Sequence, residues 1–168
     1  MFRMLFAVAV AALPTLASAQ TPPPKPACTS PEHRQFDFWV GKWAVSQTGK
    51  ERVVAESLVE SVYNGCGVRE NWMPKNNQTG GSLNIWLPAE KAWKQTWIDS
   101  GGTRADFTGG WNGKQMVLTG KWGGPLVRMT YTPNRDGTVR QAGEQSMDGG
   151  KTWSPSFDFT YRKAPSLP

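Results

Sequence analysis

Three carboxylates are the side chains in this chain whose type and position best suit acid–base catalysis. Glu70, Asp99 and Glu144 lie in predicted strands, and burial would raise the pKa of such a group into the range suited to proton transfer. The sequence contains no Ser/His/Asp set, no cluster of metal ligands, no G-x-S-x-G elbow and no phosphate-binding loop. We therefore assign no catalytic residue, no metal and no cofactor. An enzyme of the isomerase or cyclase kind, with Glu70 or Asp99 as general base, stays open as an alternative.

Aromatic residues favour a binding function. The chain has nine Trp in 168 residues, and large rings interleaved with single polar groups are what a small-molecule pocket needs. Strand side chains alternate between two faces, so an inward ring brings the residues two positions away to the same side. We predict that the protein holds a partly apolar small molecule in its interior through Glu70, Trp72, Trp86, Gln95, Trp97 and Arg140. The alternative is a structural protein of the cell envelope whose rings fill the interior.

Short strands and turns account for most of the chain after residue 35. Gly and Pro recur roughly every eight to twelve residues, and no long window has helical periodicity. The pattern predicts an all-β domain, a single antiparallel up-and-down barrel of about 8–10 strands. A two-sheet sandwich is the alternative, and a short helical turn with Ser30 as N-cap should precede the first strand. The predicted strands cover 36–48, 51–62, 66–73, 81–87, 91–99, 103–110, 114–121, 126–133, 138–147 and 153–162.

The aromatic run FDFWVGKW, residues 36–43, predicts a first strand that enters the core and plugs the barrel. Its last three residues, Gly41-Lys42-Trp43, resemble the G-x-W signature of the calycins, the lipocalin and fatty-acid-binding-protein group. The resemblance implies that Trp43 lies at the closed end of the barrel. It also implies that a basic residue of the last strand packs across the Trp43 ring, and Arg162 is the candidate.

A wider resemblance covers nearly the whole chain after the leader. It is to a family of exported bacterial proteins of unknown function that we assign to the calycin-like barrels, and it implies no activity. Nitrobindin-type barrels begin with a similar aromatic strand and bind haem through a barrel histidine. The single histidine here, His33, precedes the first strand, so we expect a surface residue and no haem ligand. The resemblance to the exported family is carried by residues 36–43, 70–72, 81–84, 93–99 and 139–141.

Residues 146–153, SMDGGKTW, match the Asp-box pattern S-x-D-x-G-x-T-W. In sialidases and other β-propellers this box is a hairpin whose Asp and Ser bond the turn backbone while the Trp packs beneath it. One copy in a chain of this length cannot build a propeller. The resemblance therefore implies a rigid hairpin between the ninth and tenth predicted strands.

The N-terminus predicts export. A basic start, an apolar run and an A-x-A site indicate a signal peptide over 1–19, too short to span a bilayer. A proline-rich leader over 20–27, the barrel domain over 28–163 and a tail over 164–168 follow, and we expect a periplasmic or secreted protein. Such a compartment favours a disulfide between Cys28 and Cys66 over two buried thiols. The formal net charge of +6 is not concentrated in a basic block, so we predict no nucleic-acid partner and leave the oligomeric state open.

Overall fold

The computed structural model describes residues 28–164, and within this range the chain forms a closed antiparallel barrel of ten strands. Each strand pairs with its neighbours in sequence, and β1 pairs with β10 to close the ring. The predicted all-β up-and-down barrel is confirmed. The predicted signal peptide, leader and residues 165–168 lie outside the described residues. The strands are β1 Gly41–Gln47, β2 Val53–Val62, β3 Gly67–Pro74, β4 Gly80–Leu87, β5 Ala92–Asp99, β6 Arg104–Trp111, β7 Met116–Lys121, β8 Leu126–Pro133, β9 Val139–Ser146 and β10 Ser154–Lys163.

The strand pattern follows from alternation of side chains across the sheet. In β3, Val68 and Glu70 are buried whereas Arg69 and Asn71 are exposed. Charged residues on the outer face pair between neighbouring strands, as Arg69 does with Glu60. A closed ring leaves no unpaired sheet edge, and its inner face forms one core.

The aromatic run does not begin the first strand, so the predicted strand start at residue 36 is wrong. Residues Asp37–Trp39 form a 3₁₀ helix, after a first such helix at Pro31–Arg34; a third, Tyr63–Gly65, connects β2 to β3. Three residues per turn place Phe36 and Trp39 on the same side of the chain, where both are fully buried. Their rings stack 5.0 Å apart. In a strand the two rings would lie on opposite faces. The segment that carries them, residues 31–39, plugs one end of the barrel.

The basic residue across Trp43 is Lys163 and not the predicted Arg162. Lys163 Nζ lies 3.9 Å from the centre of the Trp43 ring and donates a hydrogen bond to the carbonyl of Val40 at 2.8 Å. Cross-strand partners share a face of the sheet, and Trp43 is paired with Lys163 while Ala44 is paired with Arg162. Arg162 therefore points outward. Trp43 itself is buried at the plugged end, with its indole N–H bonded to the carbonyl of Trp39.

The plug is fastened to the barrel by the predicted disulfide, because Cys28 and Cys66 are bonded across 38 residues of sequence.

His33, predicted to lie on the surface, is in fact buried with 6 % of its area exposed. The helix that carries it packs against β4, and its Nδ1 lies 3.0 Å from the hydroxyl of Ser30. Ser30 is the N-cap residue, as predicted, although its side chain bonds His33 and no backbone amide.

The Asp-box residues form the hairpin that the resemblance implies. Asp148 accepts hydrogen bonds from the backbone amides of Lys151 and Thr152, and Ser146 accepts one from the amide of Gly150. The Trp153 indole donates to the carbonyl of Gly150. The turn between β9 and β10 is therefore held by hydrogen bonds from its own side chains.

Among residues 28–164 no helix is long and apolar enough to cross a membrane.

Candidate functional site

The barrel encloses a cavity of about 630 Å³ that opens at the end opposite the plug. This volume is in the range of small-molecule sites. Residues of the β1–β2 and β3–β4 hairpins form part of the mouth. Two of them, Arg52 and Lys75, are exposed cations, and Gln47, Asn76 and Gln78 add polar groups beside them.

Eight aromatic side chains line the cavity. Neighbouring rings pack on one another, with 5.6 Å between the centroids of Trp72 and Phe159 and 5.8 Å between those of Trp97 and Trp122. Glycines on two strands make room for them, since a Cβ on Gly80 would come within 2.5 Å of Trp97 and one on Gly143 would collide with Phe157. The rings that line the cavity are Trp72, Trp97, Phe107, Trp122, Tyr131, Phe157, Phe159 and Tyr161.

The interior is layered along the barrel axis, as β5 shows. In β5 the three inward residues are Trp93, which packs on Phe36 of the plug, then Gln95, then Trp97 near the mouth. Gln95 therefore belongs to a middle layer of polar groups. This polar layer, defined as Ser57, Glu70, Asn84, Gln95, Tyr131, Gln141 and Tyr161, separates the plug from the aromatic part of the cavity.

The polar layer is one connected hydrogen-bond network. Gln95 Nε2 donates to Asn84 Oδ1 at 2.7 Å and to the Tyr131 hydroxyl at 3.2 Å. Gln141 Nε2 donates to the same hydroxyl at 3.0 Å, and Gln141 Oε1 accepts from Tyr161 at 2.6 Å. Strands β4, β5, β8, β9 and β10 are thereby joined through the interior. Networks of this kind fix side-chain positions, because each of these side chains is held by at least one hydrogen bond.

Glu70 is the acidic member of the polar layer. Its Oε1 accepts a hydrogen bond from Ser57 at 2.8 Å and lies 3.3 Å from the Tyr161 hydroxyl. Burial raises the pKa of Glu70 to about 7, against the opposing effect of the bonds from Ser57 and Tyr161. Both protonation states are therefore populated near neutral pH. Its Oε2 has no hydrogen-bond partner among residues 28–164, and the side chain lines the cavity.

Tyr131 supplies a donor at the same level. Its oxygen accepts from Gln95 and Gln141, so its own proton is left for another acceptor; the acceptor within reach is the thioether of Met129, at 3.8 Å. A thioether is a weak acceptor. Burial, followed by the nearby charge of Glu70, raises the pKa of Tyr131 far above its usual value. The hydroxyl consequently stays protonated and can donate to a molecule in the cavity.

The structure brings together four of the six residues predicted to bind a ligand, Glu70, Trp72, Gln95 and Trp97. Trp86 and Arg140 do not line the cavity, and their assignment to it is wrong. Trp86 faces inward but lies in the layer of the plugged end, 6.5 Å from Trp93. Arg140 is on the outer face, where its guanidinium bonds Asp158.

The two other candidate carboxylates are also outside the cavity. Asp99 accepts from the backbone amides of Gly101 and Thr103 in the β5–β6 turn, and Glu144 pairs with Arg128 on the outer face. Among the described residues no group of three His, Cys, Asp or Glu side chains could hold a metal.

Sequence reasoning missed several lining residues that the alternation of side chains could have revealed. In β10, Phe157, Phe159 and Tyr161 recur at every second position, which is the signal of an inward aromatic face. Tyr131 follows the same alternation in β8, where Val127, Met129 and Tyr131 are buried. Gln141 carries a weaker signal, because it lies between Arg140 and Ala142 and a polar side chain does not by itself mark the inward face.

Comparison with known proteins found no family model and no curated protein that matches the chain. The resemblances to the calycins and to the exported bacterial family therefore rest on the residues named above.

Proposed function

We propose that this protein binds a small, partly apolar molecule inside its barrel. The observation that carries the proposal is the cavity of about 630 Å³, which combines six Trp and Phe rings with a polar layer at its inner end. Buried rings supply most of the binding free energy in such sites, and a few fixed polar groups set the orientation.

The distribution of polar groups suggests how the ligand lies. A polar end would reach Glu70, Gln95 and Tyr131, which line the cavity and keep unused hydrogen-bonding capacity among the described residues, while the body stacks against Trp72 and Trp97. The cations Arg52 and Lys75 at the mouth would favour a ligand whose outer end is neutral or anionic.

We further propose that the protein is exported to the periplasm or secreted and that its barrel is of the calycin kind. The Cys28–Cys66 disulfide supports an oxidising compartment. The up-and-down closure and the basic side chain across Trp43 support the calycin assignment. A structural envelope protein with a filled barrel is disfavoured, because the interior retains a cavity of about 630 Å³.

The binding proposal is tested with anilinonaphthalene sulfonate, an anionic aromatic dye that fluoresces in apolar sites. We expect the purified protein to bind the dye, and Trp97→Ala to raise the dissociation constant at least about tenfold, because one stacking wall is lost. Trp86→Ala is the matched control, since it removes the same side chain from outside the cavity. Equal weakening by the two substitutions, in variants that keep the wild-type circular dichroism spectrum, would show that the dye does not use the cavity.

A further inference from the structure

Glu70 is placed to exchange a proton with a molecule in the cavity. One of its oxygens is held by Ser57, while the other has no partner among the described residues and lies in a side chain that lines the cavity. Trp72 and Tyr161 line the cavity with it, and Glu70 itself is buried. A carboxylate in apolar surroundings is a stronger base than one in water, because it is less stabilised by solvation.

The hydrogen-bond network accommodates Glu70 with or without its proton. The Tyr161 hydroxyl lies 3.3 Å from Glu70 Oε1 and 2.6 Å from Gln141 Oε1, and its single proton can serve one of these acceptors at a time. An ionised Glu70 can accept a hydrogen bond from Tyr161 at Oε1, whereas a Glu70 that carries a proton on Oε2 leaves the Tyr161 hydrogen to Gln141. Rotation of one hydroxyl therefore adapts the layer to either state without moving a side chain.

Tyr131 complements Glu70 with a hydrogen-bond donor. Two amide N–H groups, from Gln95 and Gln141, occupy the lone pairs of its oxygen and fix its position. Its proton meets only the weak acceptor Met129 among the described residues. A donor positioned before the reaction stabilises negative charge that develops on a substrate oxygen.

Few other charges act on Glu70. Opposite it in the register, β2 presents Val59 and β4 presents Ser82, both neutral, and Ser57 is its neutral partner from β2. The titratable groups that share the cavity are Tyr131, Tyr161 and the mouth residues Arg52 and Lys75. The two tyrosines keep their protons, because burial raises both pKa values.

We propose that this site catalyses proton transfer on apolar carbonyl compounds, with Glu70 as general base and Tyr131 as hydrogen-bond donor to the carbonyl oxygen. The proposal rests on the binding function above. A C–H bond next to the carbonyl breaks, its proton goes to Glu70 Oε2, and its electron pair forms a C=C bond as the negative charge moves to the oxygen beside Tyr131. Return of the proton to the other end of a conjugated system regenerates the carboxylate and yields an isomer, so no oxidant, reductant or co-reactant is needed.

The probe for this activity is 5-nitrobenzisoxazole, an apolar aromatic compound. Its reaction also needs a base that takes a C–H proton and a donor to the oxygen on which negative charge develops. A base removes its ring C–H proton, a C≡N bond forms as the N–O bond breaks, and the product is a coloured phenolate whose oxygen would accept from Tyr131. We expect Glu70→Gln, which preserves shape, to lower kcat/KM at least a hundredfold. Tyr131→Phe should lower kcat about tenfold or more with a smaller effect on KM. Activity should rise with pH as Glu70 ionises, through a pKa of about 7.

The matched control is Glu144→Gln, which neutralises a carboxylate on the outer face and should leave the rate unchanged. Binding of the probe is measured separately by quenching of tryptophan fluorescence. Binding with equal rates for the wild type and Glu70→Gln would overturn the proton-transfer proposal and leave the binding function intact. A lack of binding by the probe and by the dye would overturn both.

Discussion

At the scale of single residues, the most informative feature is a carboxylate buried in a neutral network. Alternation along β3 and β5 was enough to place Glu70, Trp72, Gln95 and Trp97 on the inner face from sequence alone. It could not separate the layers of the interior, because depth along the barrel axis depends on the stagger of all ten strands. Trp86 was misplaced for that reason, and Arg140 because its partner Asp158 on β10 could not be known before the pairing of β9 with β10.

The buried carboxylate should make stability depend on pH. The folded state raises the pKa of Glu70 from 4.5 to about 7, so it holds the proton to higher pH than the unfolded chain does. The resulting stabilisation is complete below about pH 4.5 and is lost as the pH rises through about 7. Relative to Glu70→Gln, the wild type should lose about 3 kcal/mol of unfolding free energy over this range.

Urea unfolding of the two proteins at a series of pH values measures this difference. Other ionisable groups are common to both proteins and cancel in the comparison. Parallel curves for the wild type and Glu70→Gln would show that Glu70 is not the buried acid described here.

At the scale of elements, most strand positions were predictable, and the 3₁₀ conformation of the plug was not. Hairpin residues and period-two alternation mark strand ends closely, so that β8 runs from residue 126 to 133 as predicted. The run FDFW has the composition of a strand, but its three-residue spacing of Phe36 and Trp39 suits a 3₁₀ turn across the barrel end. Tertiary packing against Trp93 and Tyr131 decides between the two.

The plug should depend on its disulfide. The Cys28–Cys66 bond joins residues separated by 38 positions in the sequence. Removing it raises the conformational entropy of the unfolded chain and should lower the free energy of unfolding by about 4 kcal/mol in the chain-entropy model. The measurement is urea unfolding of the Cys28→Ser/Cys66→Ser variant beside the oxidised protein, followed by near-ultraviolet circular dichroism of the plug aromatics. An unchanged unfolding free energy would mean that the plug is held by packing alone.

At the scale of the whole molecule, closure of the barrel creates the cavity. The number of strands stayed between eight and ten, while their up-and-down order could be read from the turns. The empty volume could not, because it depends on how the rings of several strands divide between plug, polar layer and wall. The same aromatic content could have filled the barrel.

The most direct test of the central claim is native mass spectrometry of the protein after incubation with a small-molecule extract of its source cells. We predict the added mass of one small molecule, lost on denaturation, weakened by Trp97→Ala and retained by Trp86→Ala. A native mass equal to the denatured mass after such incubation would contradict a ligand-binding barrel.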